Sequence, residues 1–196
     1  MCSLMMTEKL FTVLSSIHLI RPEFRTAIEQ SLTALTLPKD HLLLEATKVA
    51  ECVYFLEEGF AMSYTFVKGK KQVECFWHSG QIMVSARSFF EQVPSQEFIQ
   101  LRAPCELLCM SYPRIHHLFE VFPEAHVIYR VIMNQYYEHS RERTRDLQHL
   151  TAVERYEKLI QHYPNIEQHL TQHELASYLG IAPQSFSRLK KRQRGR

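Results

Sequence analysis

No run of about eighteen apolar residues occurs in the chain, so no membrane-spanning helix is expected. The N-terminus lacks a basic region followed by an apolar core, which removes a secretory signal from the reading. Cys-x-x-Cys is absent, and the five cysteines, Cys2, Cys52, Cys75, Cys105 and Cys109, are odd in number. Most fall in strand-like runs, so the expectation is reduced thiols acting as small apolar side chains in a cytoplasmic protein. A large charge excess is also missing: the net charge is +2. The molecule is not a polycation, yet its cations are unevenly placed. The terminal RLKKRQRGR carries Lys190, Lys191, Arg192, Arg194 and Arg196 with no acid among them. Any anionic partner is expected there.

What is present divides by period. Leu10, Phe11, Leu14 and Ile17 recur at helical spacing over 8–20, and Phe24, Ile28 and Leu32 do so over 22–34. From 41 to about 111 the period becomes two. HLLLE, CVYFLE, GFAMSYTFV, QVECFWH, EFIQLR and ELLCMS read as short strands. Glu57-Glu58-Gly59 marks one turn and Lys68-Gly69-Lys70 a tight hairpin. Segment 82–93 is less regular, with a short helix around Arg87–Glu91. Several strands at short intervals imply an antiparallel sandwich or jelly roll. After the short helix RIHHLFEVF, the stretch from Glu124 to about Leu150 contains no glycine or proline. Ala125, Ile128, Ile132, Tyr136, Arg143, Leu147 and Leu150 lie on it at threes and fours. That pattern predicts a helix of about 40 Å with a narrow seam, suited to pairing with a second copy. Thr151 and Glu154 form a capping box for a further helix, whose apolar face is Val153, Tyr156, Leu159 and Ile160.

The last stretch has the pattern of a helix-turn-helix. Thr171 and Glu174 form a second capping box. Leu175, Tyr178 and Leu179 give the first short helix its apolar face. Gly180 suits the turn and Pro183 the first position of the second helix. Phe186 and Leu189 give that helix one buried side. Gln184, Ser185, Ser187 and Arg188 are left outward, where such groups can meet base edges or phosphates. Thr171 and Gln172 can reach a phosphate from the first helix. Lys190, Lys191 and Arg192 are expected on phosphates as well.

The order of sandwich, long helix and helix-turn-helix resembles the cyclic-AMP receptor protein/FNR family of bacterial transcription regulators. The likeness is most specific in LTQHELASYLGIAPQSFSRLKK and in the preceding ERYEKLIQHYP. The pattern EL-A-x-x-LGI-x-P-x-x-x-SR looks like the branch common in Bacteroidetes-type bacteria. The resemblance implies an α+β chain in three parts. They are an N-terminal cyclic-nucleotide-binding-like jelly roll over 1–122, a dimerisation helix over 123–150, and a DNA-binding unit over 151–196. It further implies a homodimer on a near-palindromic operator in double-stranded DNA, with RNA polymerase and an unidentified small effector as further partners. With few residues after the recognition helix, the usual wing is expected to be short or missing.

The departures from that family are specific. Members that bind cyclic AMP carry a Gly-Glu pair and, about nine positions later, an Arg followed by a small residue. Aligned through Pro94, those places hold Ser85-Ala86 and Ser95-Gln96. Neither the ribose contact nor the phosphate contact can form, so a response to cyclic AMP is not expected. With only Cys2 near the N-terminus, no iron–sulfur cluster is expected, and no other cofactor. If the sandwich senses something, the pocket should lie near Met83, Arg87 and Phe89. A rival reading is a cupin-type metal-dependent enzyme. That chemistry needs His-x-His with a downstream Glu and His. No His-x-His exists, and His116 and His117 diverge by about 100° on a helix. No enzyme is therefore expected. A haem sensor with Cys75 or His78 as axial ligand is the remaining alternative.

Overall fold

The computed structural model of the chain describes residues 7–194, with side chains as far as Arg192. Cys2 and Arg196, named above, lie outside the described residues. Among the described residues two helices come first, α1 (Glu8–Ile17) and α2 (Pro22–Ser31). Eight strands follow among the described residues: β1 (Thr33–Leu37), β2 (Leu42–Leu44), β3 (Cys52–Glu58), β4 (Phe60–Val67), β5 (Lys70–His78), β6 (Gln81–Met83), β7 (Phe98–Leu101) and β8 (Cys105–Ser111). The helix α3 (Ala86–Glu91) sits between β6 and β7. After β8 come α4 (Tyr112–Val121), α5 (Pro123–His149), α6 (Ala152–His162), α7 (Ile166–His169), α8 (Gln172–Tyr178) and α9 (Pro183–Arg194).

The strands form two four-stranded antiparallel sheets, ordered β1-β8-β3-β6 and β2-β7-β4-β5. This is the expected sandwich, with one correction at its start. The spacing predicts a helix through residues 33 and 34, but α2 stops at Ser31. Leu32 has an extended backbone, and Thr33–Leu37 pairs along its length with β8. Alternation in Thr-Ala-Leu-Thr-Leu, with Leu35 and Leu37 facing inward, outweighs the helical spacing read through Leu32. The three-residue β6 was also unread, being too short to show a period. The β4–β5 hairpin turns on Lys68 and Gly69, both at positive φ, as a two-residue primed turn requires. Gly59 is needed for room as well as conformation. A Cβ there would collide with Cys105 Sγ and the carbonyl of Pro104.

Packing separates into three apolar clusters. Leu56, Ala61, Trp77, Met83, Phe89, Ile99, Leu101 and Leu107 fill the sandwich. Leu10, Phe11, Leu14, Phe24 and Ile28 cover the outer face of the first sheet at Phe55, Leu108 and Met110. Leu118 of α4 and Ala125 and Ile128 of α5 join them there. Arg21 pairs with the buried Glu124 at the start of α5. The third cluster lies on the outer face of the second sheet. Phe60, Met62, Tyr64, Val73 and Phe76 pack there against Tyr156, Leu159, Leu170, Leu175 and Phe186. Strand β4 is therefore buried on both faces, which is why its large residues need not point into the sandwich.

Candidate nucleic-acid interface

Local sequence builds the C-terminal helices as the caps foretold. Thr151 and Thr171 each close a capping box, with Glu154 and Glu174 respectively. Gly180 adopts φ +67° and lets Ile181 N–H return to the Ala176 carbonyl at 3.0 Å. Pro183 opens α9. Ala182 supplies no side-chain cap, but its carbonyl accepts from Ser185 and Phe186 N–H at 2.9 and 3.1 Å. Phe186 is completely buried and meets the Tyr156 ring edge-on at 5.4 Å between centroids. Leu189 is buried beside it. Two apolar positions three apart thus fix which face of α9 looks outward.

On that outward face Gln184, Arg188, Lys191 and Arg192 are exposed, and Ser185 and Ser187 half-buried. Arg188 Nη2 lies 3.4 Å from Ser185 Oγ, so one arm of the guanidinium rests on its own helix. Ser187 Oγ donates to Gln172 Oε1 at 3.3 Å, joining the two helices of the motif. Two of the expected phosphate contacts, Thr171 and Lys190, already have partners within the chain. The Thr171 hydroxyl accepts from Glu174 N–H at 3.2 Å and donates to its carboxylate at 3.0 Å. The Gln172 carbonyl accepts from Ser187. Lys190 is paired with Glu167 at 2.7 Å. A residue four or seven positions from Leu189 and Phe186 is easy to place on a face. A lysine's partner on another helix leaves no trace in local spacing. The side chain of Arg194 is not described.

The docking of these helices onto the sandwich was not readable in the sequence. Strand β5 is an edge of its sheet, and α8 closes that edge. Val73 N–H donates to Ser177 Oγ at 3.0 Å, and Ser177 Oγ donates to the Lys71 carbonyl at 3.0 Å. Gln72 Nε2 reaches the Ser177 carbonyl at 3.0 Å. Glu174 is buried, and it accepts from Arg102 Nη2 at 3.0 Å and Lys71 Nζ at 3.3 Å. Burial would raise this carboxyl's pKa. The Thr171 N–H and hydroxyl, Arg102 and Lys71 outweigh it and hold the group below its usual value. Tyr178, read as part of the motif's own core, instead lies on Phe76 at 4.4 Å. Val153, expected on the buried face of α6, is 44% exposed.

Helix α5 spans 27 residues as expected, but the seam residues face their own protomer. Ala125 and Ile128 are buried in the cluster on the first sheet, with Ile132 packed beside them. The Tyr136 hydroxyl donates to the Ile82 carbonyl at 2.6 Å and accepts from Trp77 Nε1 at 3.0 Å. Arg143 donates to the Tyr178 and Val73 carbonyls at 3.0 and 3.2 Å, with its guanidinium 3.9 Å from the Tyr178 ring centre. Leu147 lies over Gly180 in the turn of the motif. A stripe at threes and fours says that one side of a helix is special; it does not say which neighbour takes it. The outer side carries half-buried Val127 and exposed Arg130, Asn134, Tyr137, Arg141 and Thr144.

The expected effector pocket near Met83, Arg87 and Phe89 is filled. Met83 and Phe89 are completely buried in the sandwich core, and Arg87 is exposed and paired with Glu91 at 3.3 Å. Ser85 Oγ lies 3.4 Å from Ser95 Oγ. Ser95 Oγ is tied to the backbone carbonyl and N–H of Glu97 at 2.9 and 3.0 Å. Burial raises the Glu97 carboxyl's pKa, with Glu74 adding to it, while hydrogen bonds from Ser85 and Ser63 favour its charged form. Ser85, Ser63 and Glu97 thus form a small buried polar group inside the sandwich. An apolar cavity of about 140 Å³ is edged by Leu14, Phe24, Phe90, Ile128 and Tyr129. Among the described residues no three His, Cys, Asp or Glu side chains gather as a metal site.

No family model and no curated protein matches the chain. Solved structures do match. FixK2 from Bradyrhizobium japonicum aligns with TM-score 0.72 at 15% identity, over 84% of this chain and 85% of that one. A transcriptional regulator of the Crp/Fnr family from Eubacterium rectale aligns with TM-score 0.73 at 11% identity, over 87% and 82%. The c-di-GMP-responsive global regulator CLP of Xanthomonas campestris aligns with TM-score 0.69 at 18% identity, over 87% and 92%. Likeness at such identities is likeness of fold, and it extends over most of each chain. The protein has the CRP/FNR regulator fold: a cyclic-nucleotide-binding-like sandwich, a long helix and a C-terminal helix-turn-helix.

Proposed function

We propose that the protein is a sequence-specific DNA-binding transcription regulator that acts as a homodimer on a near-palindromic operator. The observation carrying this is the face of α9. Gln184, Arg188, Lys191 and Arg192 are exposed on it while Phe186 and Leu189 anchor its other side. Arg188 is assigned a base contact, because its planar fork matches the acceptor edge of guanine. Lys191 and Arg192 are assigned to phosphates, which give affinity rather than sequence choice. Two copies set about 34 Å apart would enter successive major grooves.

Selection from random duplex DNA, with and without cell extract, is expected to return an inverted repeat. Replacing Arg188 by alanine should cost about 1–3 kcal/mol on that operator and flatten preference at one base pair. Equal weakening on every operator variant would remove the base-reading role. Pairing is proposed through the outer side of α5, since the inner side is occupied within the protomer. Sedimentation should then show a dimer that Tyr137→Asp weakens roughly tenfold or more. A monomer at all concentrations would end this part of the reading.

Cyclic AMP is not expected to act on the protein. Each lost charge-assisted contact costs about 2 kcal/mol or more, and Glu97 adds a negative charge where the phosphate would sit. Calorimetry with cyclic AMP up to about 1 mM should show no saturation; micromolar binding would contradict this. The proposed role involves no catalysis and no cofactor.

A further inference from the structure

The sandwich carries two thiols that the proposed function does not use. Cys52 lies on β3 and Cys109 on β8, in a pairing register where Tyr54 faces Cys109 and Cys52 faces Ser111. The two cysteines are therefore diagonal neighbours on one face of the sheet. Their sulfurs are 3.4 Å apart, and both residues are partly accessible. Closing that gap to a disulfide's length of about 2 Å needs rotation of the two side chains and, for diagonal neighbours, a local shift of the paired strands.

The surroundings make the two sulfurs unequal. Arg114 is fixed beside Cys109. Its guanidinium donates to the Ser31 carbonyl at 2.8 Å and the Thr33 hydroxyl at 3.2 Å, and Thr33 is the register partner of Cys109 on β1. A hydrogen bond from Cys52 stabilises the Cys109 thiolate, burial opposes it and Arg114 assists, so the thiol is lowered to about 7. Cys52 is pushed the other way, first by its bond to Cys109 and then by burial. Burial raises Cys75 to about 12 and also raises Cys105. A thiolate next to a thiol, open to small molecules, is the arrangement that oxidants find first.

We propose that Cys52 and Cys109 are a hydroperoxide-oxidisable dithiol that closes to an intramolecular disulfide between β3 and β8. The Cys109 thiolate attacks the terminal oxygen of the hydroperoxide. An S–O bond forms, the O–O bond breaks, and the departing oxyanion takes a proton to leave as water or alcohol. The sulfur of Cys52, giving up its proton, then attacks Cys109 Sγ. The S–S bond forms, the S–O bond breaks, and the hydroxide leaves with that proton as water. Two thiols lose two electrons in total, and one hydroperoxide gains them. The outer sides of the same strands carry Phe55, Leu108 and Met110, against which α5 packs. The bridge would thus lie directly under the base of the long helix.

The test uses reduced full-length protein and hydrogen peroxide, and it involves no DNA, so its outcome is separate from the regulatory reading. Maleimide counting should fall from five thiols to three, peptide mapping should recover Cys52 linked to Cys109, and dithiothreitol should restore all five. In Cys52→Ser, Cys109 should stop at the sulfenic acid and be captured by dimedone. In Cys109→Ser, no thiol should be lost at the same dose. Linkage through Cys2, Cys75 or Cys105 or between two chains would overturn the proposal. So would five intact thiols after a dose that fully oxidises glutathione. The wild-type mapping decides the matter even if a variant folds poorly.

Discussion

Phe186→Ala should lower the stability of the C-terminal helices by about 3–5 kcal/mol, the range for removing a buried aromatic ring from a packed site. Phe186 is completely buried in a cluster shared by α6, α8, α9 and the outer face of the second sheet. Its loss leaves Tyr156, Leu175 and Leu189 around a hole and frees α9 to reorient. Denaturant unfolding monitored by far-ultraviolet circular dichroism gives the measurement. Phe186→Leu, which keeps most of the volume, should cost roughly 1.5 kcal/mol or less. Arg188→Ala, on the exposed face, should leave unfolding within about 0.5 kcal/mol of the parent. If Phe186→Ala unfolds like the parent, the packing that orients α9 has been misassigned, and with it the surface proposed to meet DNA.

Glu174→Ala is expected to destabilise the same region, through charge rather than volume. The carboxylate accepts from Thr171, Arg102 and Lys71 at once. Arg102 is only 12% exposed along its side chain. Removing one partner of a buried ion pair costs about 3–5 kcal/mol when the other charge is left uncompensated; Arg102 keeps Asp40 at 2.7 Å, so the expected loss is smaller, about 1–3 kcal/mol. Glu174→Gln separates two roles. Glutamine can still serve a capping box but cannot neutralise Arg102, so α8 should remain helical while its contact with β5 loosens. Faster amide exchange at Val73 and at Ser177–Leu179 is the readout. Unchanged exchange in Glu174→Gln would show that the Ser177 and Arg143 contacts hold the helices by themselves. The same carboxylate sets a pH window. Its folded pKa is lowered, so its contribution is present above the unfolded value near 4.5 and is lost as the pH falls through the folded value. Docking should therefore weaken on acidification below about pH 4.5, and Glu174→Gln should flatten that part of the stability profile.

The reach of sequence reasoning can be followed residue by residue. Capping boxes at Thr151 and Thr171, the turn at Gly180 and the start at Pro183 were legible because each rests on a hydrogen bond or dihedral set within a few residues. Strands β3, β4, β5, β7 and β8 were legible through their period. β1 and β6 were not, since β1 adjoins a helix without a break and β6 is three residues long. The exposed face of α9 was legible from Phe186 and Leu189. The engagement of Lys190 was not, because Glu167 lies on another helix. Ser177, Arg102 and Lys71 had no signal at all: a serine, an arginine and a lysine become a joint only when distant segments meet.

Local chemistry alone determined the order of the parts and the side of α9 that stays wet, because helix caps, turn glycines and hydrophobic periods act over less than about two turns. Tertiary structure decided what each apolar stripe is buried against. It turned the inner side of α5 onto its own sandwich and placed the outer face of β4 beneath the C-terminal helices. It also filled the site near Met83 and Phe89 and brought Cys52 to Cys109. Apolar burial is non-directional. A stripe records that it must be covered, and only the folded chain supplies the surface that covers it.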